Sequence, residues 1–269
     1  MTDHAAEASA DAQAMRQAVS EAGLSWIVAP ASAGGYPAPY AEHPVAFRPA
    51  RGLGWMKGLF TEAAPPPSRD WSQERRLTPA GEQGAFNTCS AFAVTGIVSD
   101  LVAISTNAAP RPLSAGHVHR CLGGLPPERG ADPHALAVAL TTRTAAAEEA
   151  GDYPFDAGAC AAASGVQGIA EVSVIARAEE AKAAMEAGPV LAVMNLYDDF
   201  WPWYGGGVYE PLGRYQSSHS IIVVGYDDPG GYWIVRNSHG PGWGIGGYGK
   251  IRYGACGLFG FHRGLRLHL

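Results

Sequence analysis

Charge is scarce in this 269-residue chain: Asp, Glu, Lys and Arg together make up 16% of it, and the formal net charge is −6. No basic stripe could follow a nucleic-acid backbone, and no polybasic patch could hold an anionic membrane, so neither is expected as a partner. Long apolar runs are lacking too; a stretch such as residues 221–225 falls far short of the ~20 residues that span a bilayer. The opening Met1-Thr2-Asp3-His4-Ala5-Ala6-Glu7 is acidic and alanine-rich, where a secretory leader needs a basic start and an apolar run. These absences predict a soluble, cytoplasmic protein. Cysteine occurs only at positions 89, 121, 160 and 256, without a C-x-x-C pair or a His/Cys cluster at metal-ligand spacing. No metal and no cofactor are therefore expected, and the question becomes whether one thiol is placed to react.

What is present is a chain with 47% hydrophobic residues, enough for a sizeable core in one large domain or two small ones. Residues 10–22 permit a helix, which Pro30, Gly34, Gly35, Pro37 and Pro39 then stop. The irregular stretch ends in Pro65-Pro66-Pro67, the predicted boundary between an N-terminal segment (1–65) and the main domain (66–269). Residues 88–101 carry Phe92, Val94, Ile97, Val98 and Leu101 with few charges between them, which predicts a helix buried on most sides. Residues 133–150, with Asp132 as N-cap and Pro133 in the first turn, predict a second helix, and residues 176–186 a third. Thereafter the period changes. Residues 190–196, 220–226, 232–236 and 248–253 are short β-favouring runs between Gly, Pro and Asp turns. Helices first and antiparallel strands later predict an α+β protein in two lobes.

Thiol chemistry on an acyl group needs a thiolate, a histidine that holds its proton, a group to orient that histidine, and donors for the oxyanion. Cys89 follows the turn-like Gln83-Gly84-Ala85-Phe86-Asn87-Thr88 and opens the buried helix, where the positive end of the helix dipole favours a thiolate. By residue type alone a cysteine there is more often a core thiol, His219 a strand-edge histidine and Asn237 a turn residue. Each gains a functional reading because the others are present.

Gln83-Gly84, six steps, Cys89-Ser90-Ala91-Phe92 resembles the nucleophile signature of the papain-like cysteine peptidases. Around it, Asp70-Trp71-Ser72, Leu77-Thr78-Pro79, Leu113-Ser114, Cys121, Gly123-Gly124 and Tyr153-Pro154-Phe155 fall in that family's order. The most specific block is His219 through Tyr226, then Tyr232 through Ser238, Gly242-Trp243-Gly244, Gly247-Tyr248 and Cys256-Gly257-Leu258. The resemblance covers roughly residues 66–269. It implies a two-lobed α+β fold, a mainly helical lobe and an antiparallel β-barrel-like lobe with a cleft between them, and hydrolysis of peptide bonds in a peptide or protein substrate through a thioester. Cys89 would be the nucleophile, His219 the acid/base, Asn237 its orienting partner, and Gln83 with the Cys89 N–H the oxyanion hole. Gly123 and Gly124 would hydrogen-bond an extended substrate through their backbone, with Ser218, His239 and Trp243 as further substrate contacts. Cys121 and Cys160 match positions that pair in the family.

Departures from the pattern carry expectations of their own. Ser90 and His239 both stand where the family has tryptophan. A histidine at 239 predicts a wetter His219–Asn237 pair, because the family's indole shields that hydrogen bond. Phe86 replaces a disulfide cysteine as an apolar plug, and Cys256 has lost its partner, with Gly213 near the expected position. Gly242 to Gly247 also fits G-x-G-x-x-G, but strand-like residues follow it in place of a helix, which rejects a dinucleotide site. His117 and His119 lack a third metal ligand and read as surface polarity, and Asp227-Asp228-Pro229-Gly230 as a hairpin turn. Two alternatives stay open: a dedicated peptide-processing or transpeptidating enzyme such as a leader-peptide protease, and a catalytically silent peptide-binding relative. Residues 1–65 read as a prosegment, a permanent extension or a substrate dock.

Overall fold

The computed structural model describes residues 2–29, 65–148, 153, 159–160 and 163–269. The Pro/Gly-rich stretch between Pro30 and the triple proline lies outside the described residues, as do Pro154 and Phe155. Helix α1 (Thr2–Glu21) leads to a short strand, β1 (Ile27–Val28). Strand β2 (Ser68–Asp70) precedes the helices α2 (Cys89–Thr106), α3 (Ala115–His117), which runs on into a π-helical turn, and α4 (Pro133–Ala139). Next come β3 (Ala145–Ala146), β4 (Gly165–Gln167), β5 (Glu171–Ile175), α5 (Ala178–Met185) and β6 (Val190–Tyr197). The one-turn helix α6 (Phe200–Trp203) is followed by β7 (Tyr204–Gly206) and β8 (Val208–Tyr209). The chain finishes with β9 (Tyr215–Asp227), β10 (Tyr232–Arg236), β11 (Tyr248–Arg252) and β12 (Gly264–His268).

The large sheet runs β5-β12-β6-β9-β10-β11-β8, with β2 also paired to β9. All these pairs are antiparallel except β8 with β11. Strands alternate their side chains between faces, so one strand can feed two cores. Val190, Ala192, Met194 and Leu196 of β6, with Ile221 and Val223 of β9, join one cluster with Phe200, Trp233 and Trp243. Leu191, Val193, Ile222 and Val224 join the other, against Val94, Ile97 and Val98 of α2 and Leu136 of α4. The two-lobed α+β arrangement expected from the sequence is the one formed, with β9 facing both cores.

Helix α2 is the one described helix long and apolar enough to cross a membrane, yet 61% of that window is buried inside the protein, which makes it a core helix. It ends where Asn107 turns left-handed (φ 54°) and returns its N–H to Ala103. Asp100 on α2 meets Arg236 at the end of β10 in a buried ion pair of 2.8 Å, with the side chains 0% and 2% exposed. Asp100 also accepts from the Thr78 N–H (2.7 Å) and hydroxyl (3.0 Å). A side chain at Gly96 would meet the Arg236 guanidinium at 2.9 Å, so the close approach of helix and strand needs glycine there.

The second helix stops at Ala139, eleven residues short of the expected end. Its cap was read correctly, since Asp132 accepts from the His134 N–H. What the period missed is that the Leu140 carbonyl takes the Ile169 N–H (3.0 Å) and the chain, with β-branched Thr141, Thr142 and Thr144, turns into the β3–β4 pair. His117 and His119 are 5% and 1% exposed, which corrects the surface reading. His117 Nδ1 accepts from the Ala146 N–H, and His119 Nε2 bonds the Pro126 carbonyl.

Residues 19–29, from the end of α1 through β1, pack on the β-rich lobe. Val19, Trp26 and Val28 are buried in the same cluster as Tyr209 and Trp243, and Trp26 meets Tyr209 edge-on at 5.5 Å. Strand β1 pairs with β7, and the Ala29 N–H bonds the Trp203 carbonyl. Gly205 and Gly207 permit this, because a Cβ at either would strike Ala29 or the Ser25 carbonyl.

Candidate active site

Cys89 is the first residue of α2, where the N–H groups of the opening turn have no partner within the helix. Thr88 caps the helix without a side-chain bond to it; its hydroxyl instead meets the Tyr153 hydroxyl at 2.5 Å. Tyr153 in turn donates to the Gln83 carbonyl (3.0 Å), tying the turn before the nucleophile to the helix start. Cys89 is 9% exposed. Burial pushes its pKa up, but the charge of His219 pulls it down, helped by hydrogen bonds from His219 and the Ser220 backbone. The net displacement is downward.

His219 sits in β9, opposite Met194 of β6, and is 2% exposed. Its Nε2 lies 2.9 Å from Asn237 Oδ1, just past the end of β10. Asn237 is fixed twice more: its Oδ1 accepts the Ser238 N–H (2.8 Å), and its own N–H bonds the Gly247 carbonyl (3.0 Å). An N–H donor toward Asn237 leaves Nδ1 for the thiol. The β9–β10 register supplies this pairing, since Arg236 lies opposite Ile222 and carries Asn237 past its end toward His219.

Gln83 is fully buried. Its amide nitrogen donates to the Phe86 carbonyl (2.6 Å), while its oxygen accepts from the Ser238 hydroxyl (2.5 Å). Those two bonds fix the amide's orientation and use one of the two N–H groups of that nitrogen. Thus Cys89, His219, Asn237 and Gln83, spread over 155 residues of sequence, share one site. Ser90 is also fully buried. Its hydroxyl donates to the Ala131 carbonyl (2.7 Å) and lies 2.9 Å from the Ser220 hydroxyl, so a polar pair fills the place of the expected indole.

The expected substrate contacts divide. Gly124 is exposed, with φ +67° and open space around its Cα, while a side chain at Gly123 would strike the His119 carbonyl at 2.6 Å. Ser218 is half-buried beside His219 in β9, opposite Asn195. Trp243 is corrected: it is 2% exposed and packed 5.1 Å from Phe200 and 5.2 Å from Tyr204, so it belongs to the core and offers a substrate no face. His239 is likewise buried, at 4%. Burial and the neighbouring His219 charge hold its pKa well below the usual imidazole value.

The wetter His219–Asn237 pair expected from His239 is not found, since Asn237 is only 4% exposed. One residue there was missed by sequence reasoning. Trp201 of α6 lies with its ring centroid 5.0 Å from His219 and 3.4 Å from His239. The signal was present in the run Asp199-Phe200-Trp201-Pro202-Trp203-Tyr204, whose aromatic density exceeds what a strand connection needs.

Cys121 and Cys160 form a disulfide with their Cα atoms 5.5 Å apart. Cys89 and Cys256 are free thiols, and burial, then the nearby Asp199, push Cys256 up to about 12. The G-x-G-x-x-G run ends at β11 and not at a helix, and the Asp227 carboxylate accepts the Gly230 N–H (2.6 Å) as a turn requires.

Residues 65–262 match the family model of the papain family cysteine proteases. Pro-cathepsin H of Bos taurus is 29% identical over 215 residues, covering 72% of this chain and 62% of that protein. Cathepsin J of Rattus norvegicus is 30% identical, covering 72% and 63%. The chain thus spans less than two thirds of the length of these relatives. Among solved structures, digestive procathepsin L 3 of Tenebrio molitor larval midgut has the same fold, with a TM-score of 0.70 at 21% identity over 98% of this chain and 89% of the other.

Proposed function

This chain belongs to the papain family of cysteine proteases, and from that premise we propose that it hydrolyses peptide bonds, with Cys89 attacking the scissile carbonyl. The observation that carries the reading is a thiol held below its ordinary pKa at a helix N-terminus, beside a histidine whose other nitrogen is bonded to Asn237. The thiolate adds to the carbonyl carbon, and the oxyanion takes the free N–H of Gln83 and the Cys89 N–H. His219, holding the former thiol proton, passes it to the departing amine as the C–N bond breaks and a thioester remains. Water then attacks the thioester, His219 takes its proton, and the acid leaves with Cys89 restored. A silent peptide-binding relative would have no use for such a thiol beside an oriented imidazole.

The test is capture of the intermediate. Acid quenching during turnover of a peptide ester should give a protein heavier by one acyl group, located on Cys89 by peptide mapping. Cys89→Ser should show neither the adduct nor hydrolysis. Hydrolysis that survives Cys89→Ser would overturn the assignment.

We further propose that the segment before the triple proline is separate from the main domain, with its described residues 2–29 docked on the β-rich lobe in the manner of a prosegment. Pairing of β1 with β7 and burial of Trp26 support this, as does the likeness of nearly the whole chain to a pro-form. The cytoplasmic expectation has lost its support, because the Cys121–Cys160 bridge favours an oxidising compartment.

A further inference from the structure

His239 gives up the apolar cover that an indole at its position would provide, yet His219 and Asn237 are 2% and 4% exposed. Two rings lie beside the His219 imidazole: His239, with centroids 6.1 Å apart, and Trp201, at 5.0 Å and steeply inclined (72°). We propose that Trp201 is a positioning residue, covering the His219–Asn237 hydrogen bond from α6 in place of residue 239. This rests on the peptidase reading of Cys89 and His219.

The indole is held where such a role needs it. Phe200, fully buried, packs 4.6 Å from Tyr209 and 5.1 Å from Trp243. The preceding Asp199 accepts from the Tyr209 hydroxyl (2.6 Å) and the Leu212 N–H (2.8 Å). A four-residue helix anchored on both counts fixes the indole, which is 6% exposed. Trp201 and His239 are immediate ring neighbours, so the positions of the two side chains are coupled.

Cover matters here because water competes for the His219 Nε2 proton, whereas in a dry site the bond to Asn237 Oδ1 is electrostatically stronger and the ring keeps its orientation. The titratable groups facing His219 are Cys89 from α2 and His239 from the loop after β10. His239 is kept uncharged by its burial and by the His219 charge, so it places no second cation beside the imidazolium. The arrangement gives His219 an apolar neighbour in Trp201 and an uncharged one in His239, which leaves the Cys89 thiol as its charge partner.

The test uses the full chain with Trp201→Ala, Trp201→Phe and the double variant Trp201→Gln/His239→Trp. Three quantities are read: Cys89 alkylation by iodoacetamide from pH 4 to 9, solvent exchange of the His219 ring N–H by NMR, and Tm. Losing the cover should slow alkylation at pH 6 by about tenfold in Trp201→Ala, the size of one lost buried hydrogen bond, and speed ring N–H exchange. Trp201→Phe should fall between, and the double variant should return to within about threefold of the parent. A lower Tm with parental alkylation and exchange in both single variants would make Trp201 a mere core residue and overturn the proposal. Failure of the double variant to recover, when folded, would do the same. A parent Cys89 that alkylates no faster than an ordinary thiol would instead overturn the peptidase reading, and this proposal with it.

Discussion

Exposing the unmodified chain to iodoacetamide at pH 6 should label one cysteine. Cys121 and Cys160 are bridged, so only Cys89 and Cys256 compete. A thiol with a pKa of about 12, as at Cys256, is ionised to roughly one part in a million at this pH. A thiol at the ordinary value of 9.0 is ionised to about 0.1%, and Cys89 lies below that value, so its thiolate population is larger by at least about 1000-fold. Nucleophilicity falls with pKa at a Brønsted slope of about 0.4–0.5, which over ~3 units returns about 20-fold to Cys256. The net preference for Cys89 is therefore at least about 40-fold. Peptide mass mapping after timed quenching measures it. His219→Ala should slow the labelling by removing the counter-charge. Asn237→Ala should slow it less, since it frees the ring without removing that charge. Equal, slow labelling of both thiols, unchanged by His219→Ala, would refute the ion pair.

Three further outcomes are expected. Replacing both Cys121 and Cys160 by Ser opens a loop of sequence separation 39 and should cost about 4 kcal/mol on the chain-entropy account, read by urea unfolding without reductant; an unchanged midpoint would mean no bridge forms in solution. Asp100→Asn leaves the Arg236 charge buried and underpaired and should cost about 3–5 kcal/mol, whereas joint replacement by Leu and Met should cost much less; equal losses would sink the desolvation argument. Trp26→Ala removes a 3%-exposed side chain from the lobe's core, for a loss of about 3–5 kcal/mol, and limited proteolysis should then release the N-terminal segment; resistance equal to the parent would separate that segment's docking from Trp26.

The sequence made the central site legible because its residues fall in ordered motifs, and the structure brings Cys89, His219, Asn237 and Gln83 together. The β-strands at 190–196 and 232–236 were legible from composition and turns, and α2 from its apolar density. Helix α4 overran because Ala-rich residues 145–150 favour a helix locally, while the Leu140 carbonyl is claimed by Ile169 from 29 positions away. His117 and His119 looked like surface residues because burial of a polar ring depends on distant backbone partners, Ala146 and Pro126, that no local pattern announces. Trp201 escaped notice for the opposite reason: the resemblance drew attention to the missing indole at 239, and covering a ring in space does not require covering it from the same position in the chain.

The Asp100–Arg236 pair has a consequence for motion. It pins the helix that starts at Cys89 to the strand that ends beside Asn237, with Thr78 from a third segment joined to both. A hinge that parted α2 from β10 would have to break these buried hydrogen bonds and open the apolar cluster that Val94, Ile97 and Val98 share with Ile222 and Ile234, a cost of several kcal/mol that thermal fluctuation seldom meets. The two sides of the site therefore move together as one rigid piece. Whatever opens and closes over Cys89 must be side chains or a covering segment, and amide hydrogens of β9 and β10 should exchange only through global unfolding.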